Sequence, residues 1–115
     1  MSLDVYLMLH VDAGGPEKEE IELFSANITH NLNKMAEEAG IYNACWRPEE
    51  IGVKLAGDIA GLLEVGLTYL KARPEHFKKF DSPNGWGKYE HFVPWVEKYL
   101  EACKRFPKAT IVVSR

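Results

Sequence analysis

The chain has 115 residues, 46% of them apolar and 27% charged, which suits one globular domain with a hydrophobic core. Its formal net charge of −3 gives no electrostatic footprint for a nucleic acid polymer or an anionic membrane. No apolar run approaches the ~20 residues of a membrane span, and the N-terminal apolar segment lacks the basic residues of a signal peptide. We therefore expect a cytoplasmic protein that binds neither nucleic acid polymers nor membranes.

The first predicted element is a strand over residues 2–12, because apolar and polar side chains alternate there. The set expected to face the core comprises Leu3, Val5, Leu7, Leu9 and Val11. The opposite set is polar and aromatic and comprises Asp4, Tyr6, Met8, His10 and Asp12. A loop with two glycines leads to a short second strand, 20–24, which we expect to form an antiparallel hairpin with the first.

Two long helices are predicted next. The first is capped by Ser25 or Asn27 and ends at Gly40, and its core stripe comprises Ile28, Leu32, Met35 and Ala39. The second covers about 53–72, and its core stripe comprises Leu55, Ile59, Leu62, Leu63, Gly66, Leu67 and Leu70. Because Gly66 falls near the centre of that stripe, we expect a neighbouring element to approach the helix closely there.

The remaining elements complete an α+β fold. Pro74 is expected to begin a short helical turn, and a last helix is predicted over about 88–105. Pro94 should either kink this helix or mark its first turn. The β-branched run 109–115 is predicted to join the same sheet as the first two strands. The sequence thus predicts a single domain, 1–115, with a mostly antiparallel sheet of about three strands packed by three to four helices.

The polar residues of the first predicted helix suggest a binding flank. Steps of 100° per residue place Asn27 and Asn31 on one side and His30 opposite the core, in water. The functional interpretation is a row of amides near a helix N-terminus, where backbone N–H groups favour an anion. A cap followed by a solvated shoulder is the interpretation that we favour.

His10 shares a strand face with Tyr6 and Met8, and that face could be a ligand floor, a dimer interface or the seat of a helix. Cover by a helix or by a second copy is the favoured account. The four histidines show no metal-ligand spacing, and no cofactor fingerprint is present, so we predict neither a metal nor a cofactor. Cys45 and Cys103 are expected to be two buried thiols.

Two tryptophan-containing segments are further candidates. Arg47, beside Trp46, could grip a phosphate or a base, but a core tryptophan next to an arginine that caps a helix end is favoured. In the segment 82–87, "SPNGWG", Asn84 and the two glycines predict a turn. Trp86 is then either a peg that packs on the core, which is favoured, or a stacking surface for a flat ligand.

Four stretches, "FSANITHNLNKM", the Trp46 region, "NGWGKYE" and "VSR", resemble a family of small uncharacterised bacterial and phage proteins. The similarity runs along most of the chain and carries no known activity. It implies only where a site should be sought, namely at Ser25, Asn27, Thr29, Asn31, Asn84, Gly85, Trp86, Gly87 and Tyr89.

These patterns favour a non-catalytic protein that binds a small polar ligand, nucleotide-like or anionic. The residues predicted to contact it are Asn27, Asn31, Arg47, Asn84, Trp86 and His10. If the chain is phage-encoded, sequestration of a host signalling nucleotide is one such role. The alternatives are a protein-interaction module, such as a homodimer formed through the Tyr6/Met8/His10 face, and a small hydrolase with His10 or His30 as its base.

Overall fold

Three antiparallel strands form one sheet in the computed structural model, which describes all 115 residues. They are β1 (Ser2–Val11), β2 (Glu19–Thr29) and β3 (Thr110–Ser114), and β1 lies between the other two. Leu3, Val5 and Leu7 on β1 are fully buried, as their alternation predicted. The sheet and five α-helices confirm the predicted α+β fold, with an N-terminal hairpin and a C-terminal strand in one sheet.

The second strand is longer than predicted and replaces the expected helix start. β2 continues to Thr29 because it stays paired with β1, with Asn27 opposite Asp4 and Thr29 opposite Ser2. Ile28 is buried on the inward face of the sheet, opposite Leu3. The prediction that Ser25 or Asn27 caps a helix is therefore wrong, since both residues belong to the strand.

The outer half of the hairpin leaves the core. The β1–β2 register shifts between Leu7 and Met8, which marks a β-bulge, and beyond it Leu9 pairs with Ile21. Both side chains are exposed, although Leu9 was predicted to face the core. The pairing of β3 with β1 reaches only Met8, so the hairpin projects from the sheet as a two-stranded arm.

The first predicted helix is reduced to a 3₁₀ turn and one short α-helix. A 3₁₀ turn at His30–Leu32 leads into α1 (Asn33–Glu38), and Gly40 then reverses the chain with a φ of 79°. A second helix, α2 (Tyr42–Trp46), was not predicted. Its five residues are too few to show a helical period of hydrophobic side chains.

The predicted second helix is α3 (Ala56–Ala72), three residues shorter at its start than expected. A methyl group on Gly66 would lie 2.2 Å from Cγ2 of Ile41 and 3.3 Å from the carbonyl oxygen of Ala39. The close approach predicted at Gly66 is thus confirmed, and the partner is the segment between α1 and α2. Leu62, in contrast, is 44% exposed and does not belong to the core stripe.

The last two helices follow the prediction. α4 (Pro74–Lys78) begins at Pro74, and α5 (Tyr89–Arg105) contains Pro94 within its first two turns. α5 packs against α3 and contributes seven buried residues, namely Phe92, Trp95, Val96, Tyr99, Leu100, Ala102 and Cys103. None of the helices is long and apolar enough to span a membrane.

Both cysteines are free and buried. Burial, together with the neighbouring Cys103, raises the pKa of the Cys45 thiol far above its ordinary value. Burial also raises the pKa of Cys103 to about 12. Neither thiol is therefore available as a nucleophile near neutral pH.

Candidate functional site

One concavity of about 710 Å³ collects most of the residues singled out in the sequence. We call it the Trp86 concavity. It lies where the paired ends of β1 and β2, the 3₁₀ turn and the loop before α5 meet. Its lining comprises Met1, Ser2, Asn27, Ile28, Thr29, Asn31, Leu32, Asn84, Gly85, Trp86, Gly87 and His91. This volume falls within the range of small-molecule sites, roughly 300–1,000 Å³.

The loop before α5 is held by its own hydrogen bonds. Oδ1 of Asn84 accepts from the Ser82 hydroxyl at 2.6 Å and from the backbone N–H of Trp86 at 2.9 Å. The backbone N–H of Ser82 donates to the carbonyl oxygen of Gly87 at 2.9 Å. Gly85 and Gly87 have φ angles of 80° and 106°, which glycine adopts without strain. The turn predicted for this segment therefore forms, and it fixes the backbone on both sides of Trp86.

The loop is also attached to the end of β2 and to the 3₁₀ turn that follows it. Nδ2 of Asn31 donates to the carbonyl oxygen of Trp86 at 2.8 Å. Gly87 is buried so closely that an added methyl group would lie 3.1 Å from Cβ of Asn31 and 3.1 Å from Cγ2 of Thr29. Because the backbone of Gly87 packs against Asn31 and Thr29, the side chain of Trp86 points away from the core.

Trp86 is 73% exposed. The favoured interpretation of this residue as a peg on the core is therefore wrong. The core pegs are the other two tryptophans, Trp46 and Trp95, which are both buried. The other interpretation, a stacking surface, remains, because the indole of Trp86 is exposed to solvent at the wall of the concavity.

The polar groups that face the concavity are mainly neutral amides. Nδ2 of Asn27 donates to the hydroxyl of Ser2 at 2.9 Å and to Oδ1 of Asp4 at 2.7 Å, which leaves its carbonyl oxygen free to accept. The amide N–H groups of Asn84 make no hydrogen bond within the protein. His91 contributes the one imidazole among the lining residues.

Asn27 and Asn31 thus lie at one site, but not for the predicted reason. They were expected on the flank of a helix N-terminus, whereas Asn27 belongs to β2 and Asn31 to the 3₁₀ turn that follows. Alternation along the strand directs Asn27 to the face opposite the buried Ile28.

Arg47 lies elsewhere. Its Nη1 donates to Oε2 of Glu50 at 2.8 Å and its Nε donates to the hydroxyl of Tyr42 at 3.2 Å. These two hydrogen bonds raise the pKa of the guanidinium above its ordinary value. Arg47 follows the last residue of α2, which agrees with the favoured account of a helix-end arginine beside a core tryptophan.

Neither histidine proposed as a base lines the concavity. His10 is exposed on the hairpin arm, where its Nε2 lies 3.2 Å from Oε1 of Glu20. His30 is half-buried rather than solvated, and its Nδ1 accepts a hydrogen bond from Nε1 of Trp46 at 2.9 Å. This bond requires the imidazole proton on Nε2, so His30 holds the core tryptophan in place.

Some lining residues were missed from the sequence. His91 was expected on solvated surface, and it is exposed, yet it closes one side of the concavity. Met1 and Ser2 reach the concavity because the first residues of β1 pair with the last residues of β2. Local sequence patterns do not predict such a long-range contact. Thr29 was indicated only by the family resemblance.

No family model matches the chain, no curated protein is similar to it, and no solved structure matches its fold. No group of three or more His, Cys, Asp or Glu residues is placed to hold a metal ion.

Proposed function

We propose that this protein binds a small polar ligand with a flat, nucleotide-like ring at the Trp86 concavity. The observation that carries the proposal is the position of Trp86, a 73% exposed indole on a loop fixed by hydrogen bonds beside a cavity of ligand size. An indole left in water forgoes the stabilisation of about 1.5–3 kcal/mol that burial of a large apolar side chain provides. A bound ring stacked on it would recover part of that energy, at about 1–3 kcal/mol per base.

The lining chemistry favours a ring with both hydrogen-bond donors and acceptors. The free carbonyl oxygen of Asn27 would accept from an amino or imino group of such a ring. The free amide N–H groups of Asn84 would donate to a ring nitrogen or carbonyl. The concavity has no lysine or arginine in its lining, so a purely anionic ligand is less well matched.

The proposed role is binding rather than catalysis. The lining contains no cysteine, aspartate, glutamate or lysine, and the hydroxyl of its one serine, Ser2, accepts a hydrogen bond from Nδ2 of Asn27. Sequestration of a nucleotide, as suggested for a phage protein, would need binding alone.

The experiment is a titration with a panel of nucleobases, nucleosides and nucleotides, followed by tryptophan fluorescence and by the melting temperature. Because Trp46 and Trp95 are buried, quenching of the red-shifted emission reports on Trp86. A ligand at a hundred times its Kd should stabilise the fold by about 2.7 kcal/mol. Nucleobases and nucleosides test the ring alone, and nucleotides test whether the phosphates add affinity.

The variants make this test specific. Trp86→Ala should abolish binding without lowering the melting temperature of the free protein, because the side chain is exposed. Trp86→Phe should retain part of the affinity by stacking. Arg47→Ala is the matched control at a polar surface outside the concavity, and it should bind as the wild type does. Absence of any quenching and of any thermal shift across the panel would refute the proposal, as would binding that survives Trp86→Ala.

A further inference from the structure

One face of α3 carries a row of exposed apolar side chains. Facing away from the core, it presents Asp58, Leu62, Val65, Tyr69 and Ala72, which we call the outer face of α3. Val65 is 71% exposed, and Leu62 and Tyr69 are exposed as well. A shallow groove of about 410 Å³ runs along this face beside Val65 and Tyr69. Three large apolar side chains in a row are more than the single exposed residues that any surface carries.

The spacing of the outer face is that of a helix-pairing seam. Its residues follow one another at intervals of four, three, four and three, which is the heptad pattern of helices that pack side by side. The core stripe of α3 is a separate set of residues, turned by about 120° around the helix axis. α3 therefore has two apolar stripes, and the protein's own core uses one of them.

We propose that the outer face of α3 pairs with the same face of a second copy of this chain, in antiparallel orientation. A symmetric dimer requires a surface that matches itself, and this one does when the two helices run in opposite directions. Leu62 then packs against the partner subunit's Val65, and the reverse contact follows by symmetry. Leu55, which is also exposed, packs against the partner subunit's Ala72.

The charges at the two ends of the seam support the antiparallel orientation. The guanidinium of Arg73 lies 5.4 Å from the centre of the Tyr69 ring, at the C-terminal end of α3. Asp58 lies at the N-terminal end, where one of its carboxylate oxygens accepts a hydrogen bond from the backbone N–H of Leu55. In the antiparallel pair, each Tyr69 and its stacked Arg73 face the partner subunit's Asp58. A parallel pair would instead bring like charges together at each end.

The residues beside the outer face of α3 leave room for α3 of a second copy to come close. Gly61 has no atom within 4 Å of the position that its Cβ would occupy, so this side of the helix is open. The antiparallel register places the small side chain of the partner subunit's Thr68 beside it. Small residues next to a seam permit a short distance between the helix axes.

The size of the contact limits its strength. A helix of 17 residues is about 25 Å long, so one helix pair falls below the roughly 1,200 Å² of total buried area that stable specific interfaces start from. The dimer should therefore be weak and reversible, and its population should depend on concentration across the micromolar to millimolar range.

Sedimentation velocity over that concentration range tests the proposal. The wild type should shift from monomer to dimer, and Val65→Lys should remain a monomer with an unchanged circular dichroism spectrum, because Val65 is exposed. Val112→Lys is the matched control, since Val112 is 43% exposed on the open face of the sheet, and this variant should dimerise as the wild type does. Arg73→Glu should weaken the dimer without touching the apolar seam.

The results that would overturn the proposal are distinct. A wild type that stays monomeric at millimolar concentration refutes self-association. A dimer that survives Val65→Lys and is lost in Val112→Lys places the contact on the sheet face instead.

Disulfide trapping tests the orientation. Because Cys45 and Cys103 are buried, only introduced thiols should react. Leu62→Cys mixed with Val65→Cys should form the mixed disulfide faster than either variant forms a disulfide with itself. Dominant self-crosslinking of Leu62→Cys would show a parallel pair and overturn the antiparallel register.

Discussion

Two glycines of α3 allow the cost of a close helix contact to be measured directly. Gly66 faces the buried Ile41, whereas Gly61, five residues earlier on the same helix, faces open space. An alanine at either position gains about 1 kcal/mol of helix propensity. The two substitutions therefore differ only in what the new methyl group meets.

At Gly66 that methyl group would lie 2.2 Å from Cγ2 of Ile41. Two carbon atoms prefer a separation of about 3.5–4.0 Å, so one side chain or the helix must move by more than 1 Å. Retreat in another direction is restricted by the carbonyl oxygen of Ala39, which lies 3.3 Å from the same position. Overpacking of this kind costs about 1–3 kcal/mol. We expect Gly66→Ala to lower the free energy of unfolding by up to about 2 kcal/mol after the propensity gain, and Gly61→Ala to raise it by about 1 kcal/mol.

Urea unfolding followed by circular dichroism gives both values. It should be run at low micromolar protein, where the proposed dimer is dissociated, because Gly61 lies beside the outer face of α3. The difference between the two variants, about 1–3 kcal/mol, isolates the overpacking cost. In the double variant Gly66→Ala/Ile41→Ala that cost should disappear, so the two changes should be less than additive. Equal stability of the two single variants would refute the close approach of α3 to the segment around Ile41.

Three further predictions concern the thiols and the Trp86 loop. The pKa of Cys103 is raised from 9.0 to about 12 and that of Cys45 is raised further, so stability should be complete below pH 9 and fall between pH 9 and 12. The free energy of unfolding should fall by about 1.4 kcal/mol per pH unit for each thiol. In urea unfolding, Cys103→Ala should therefore make this fall less steep by about 1.4 kcal/mol per pH unit. Asn31→Ala removes the hydrogen bond to the carbonyl oxygen of Trp86, so it should lower stability by about 1 kcal/mol and lower the fluorescence anisotropy of Trp86. Gly87→Ala forces a positive φ and a methyl contact of 3.1 Å, so it should cost about 1–3 kcal/mol in thermal unfolding and abolish ligand binding.

Each of these results has an outcome that would contradict it. An unchanged slope in Cys103→Ala would mean that this thiol already ionises in the folded protein near pH 9. Unchanged anisotropy in Asn31→Ala would mean that the loop is held by its internal hydrogen bonds alone. Normal ligand binding by Gly87→Ala would remove the link between this backbone and the presentation of Trp86.

The parts of the fold that were predicted correctly are those whose pattern is local. Strict alternation in residues 3–7 and the helical stripes of α3 and α5 identify elements that are long enough to show their period. The segment 25–29, "SANIT", has two valid local interpretations. Serine and asparagine are good helix caps, and Ile28 stands four residues before Leu32, yet the same five residues also alternate as a strand. Pairing with β1 decides in favour of the strand, and the partners of these five residues, Ser2 to Tyr6, lie 19 to 27 residues away in the sequence.

In the candidate site, too, local sequence patterns predict one feature correctly and fail for another that depends on a distant contact. The turn at Asn84 and its glycines follows from local turn chemistry, and it forms as predicted. The direction of the Trp86 side chain depends on the contact between Gly87 and the end of β2, more than 50 residues away. No spacing rule within the loop contains that information. A preference for burying large aromatic side chains therefore gave the wrong orientation for Trp86.

The central position of β1 bears on how the chain folds during synthesis. One of the two hydrogen-bonded neighbours of β1 is β3, which is made about a hundred residues after it. Until then β1 has one free edge, and a free strand edge is a template for aggregation. During synthesis the centre of the sheet thus stays half-paired until β3, a strand of five residues, has been made.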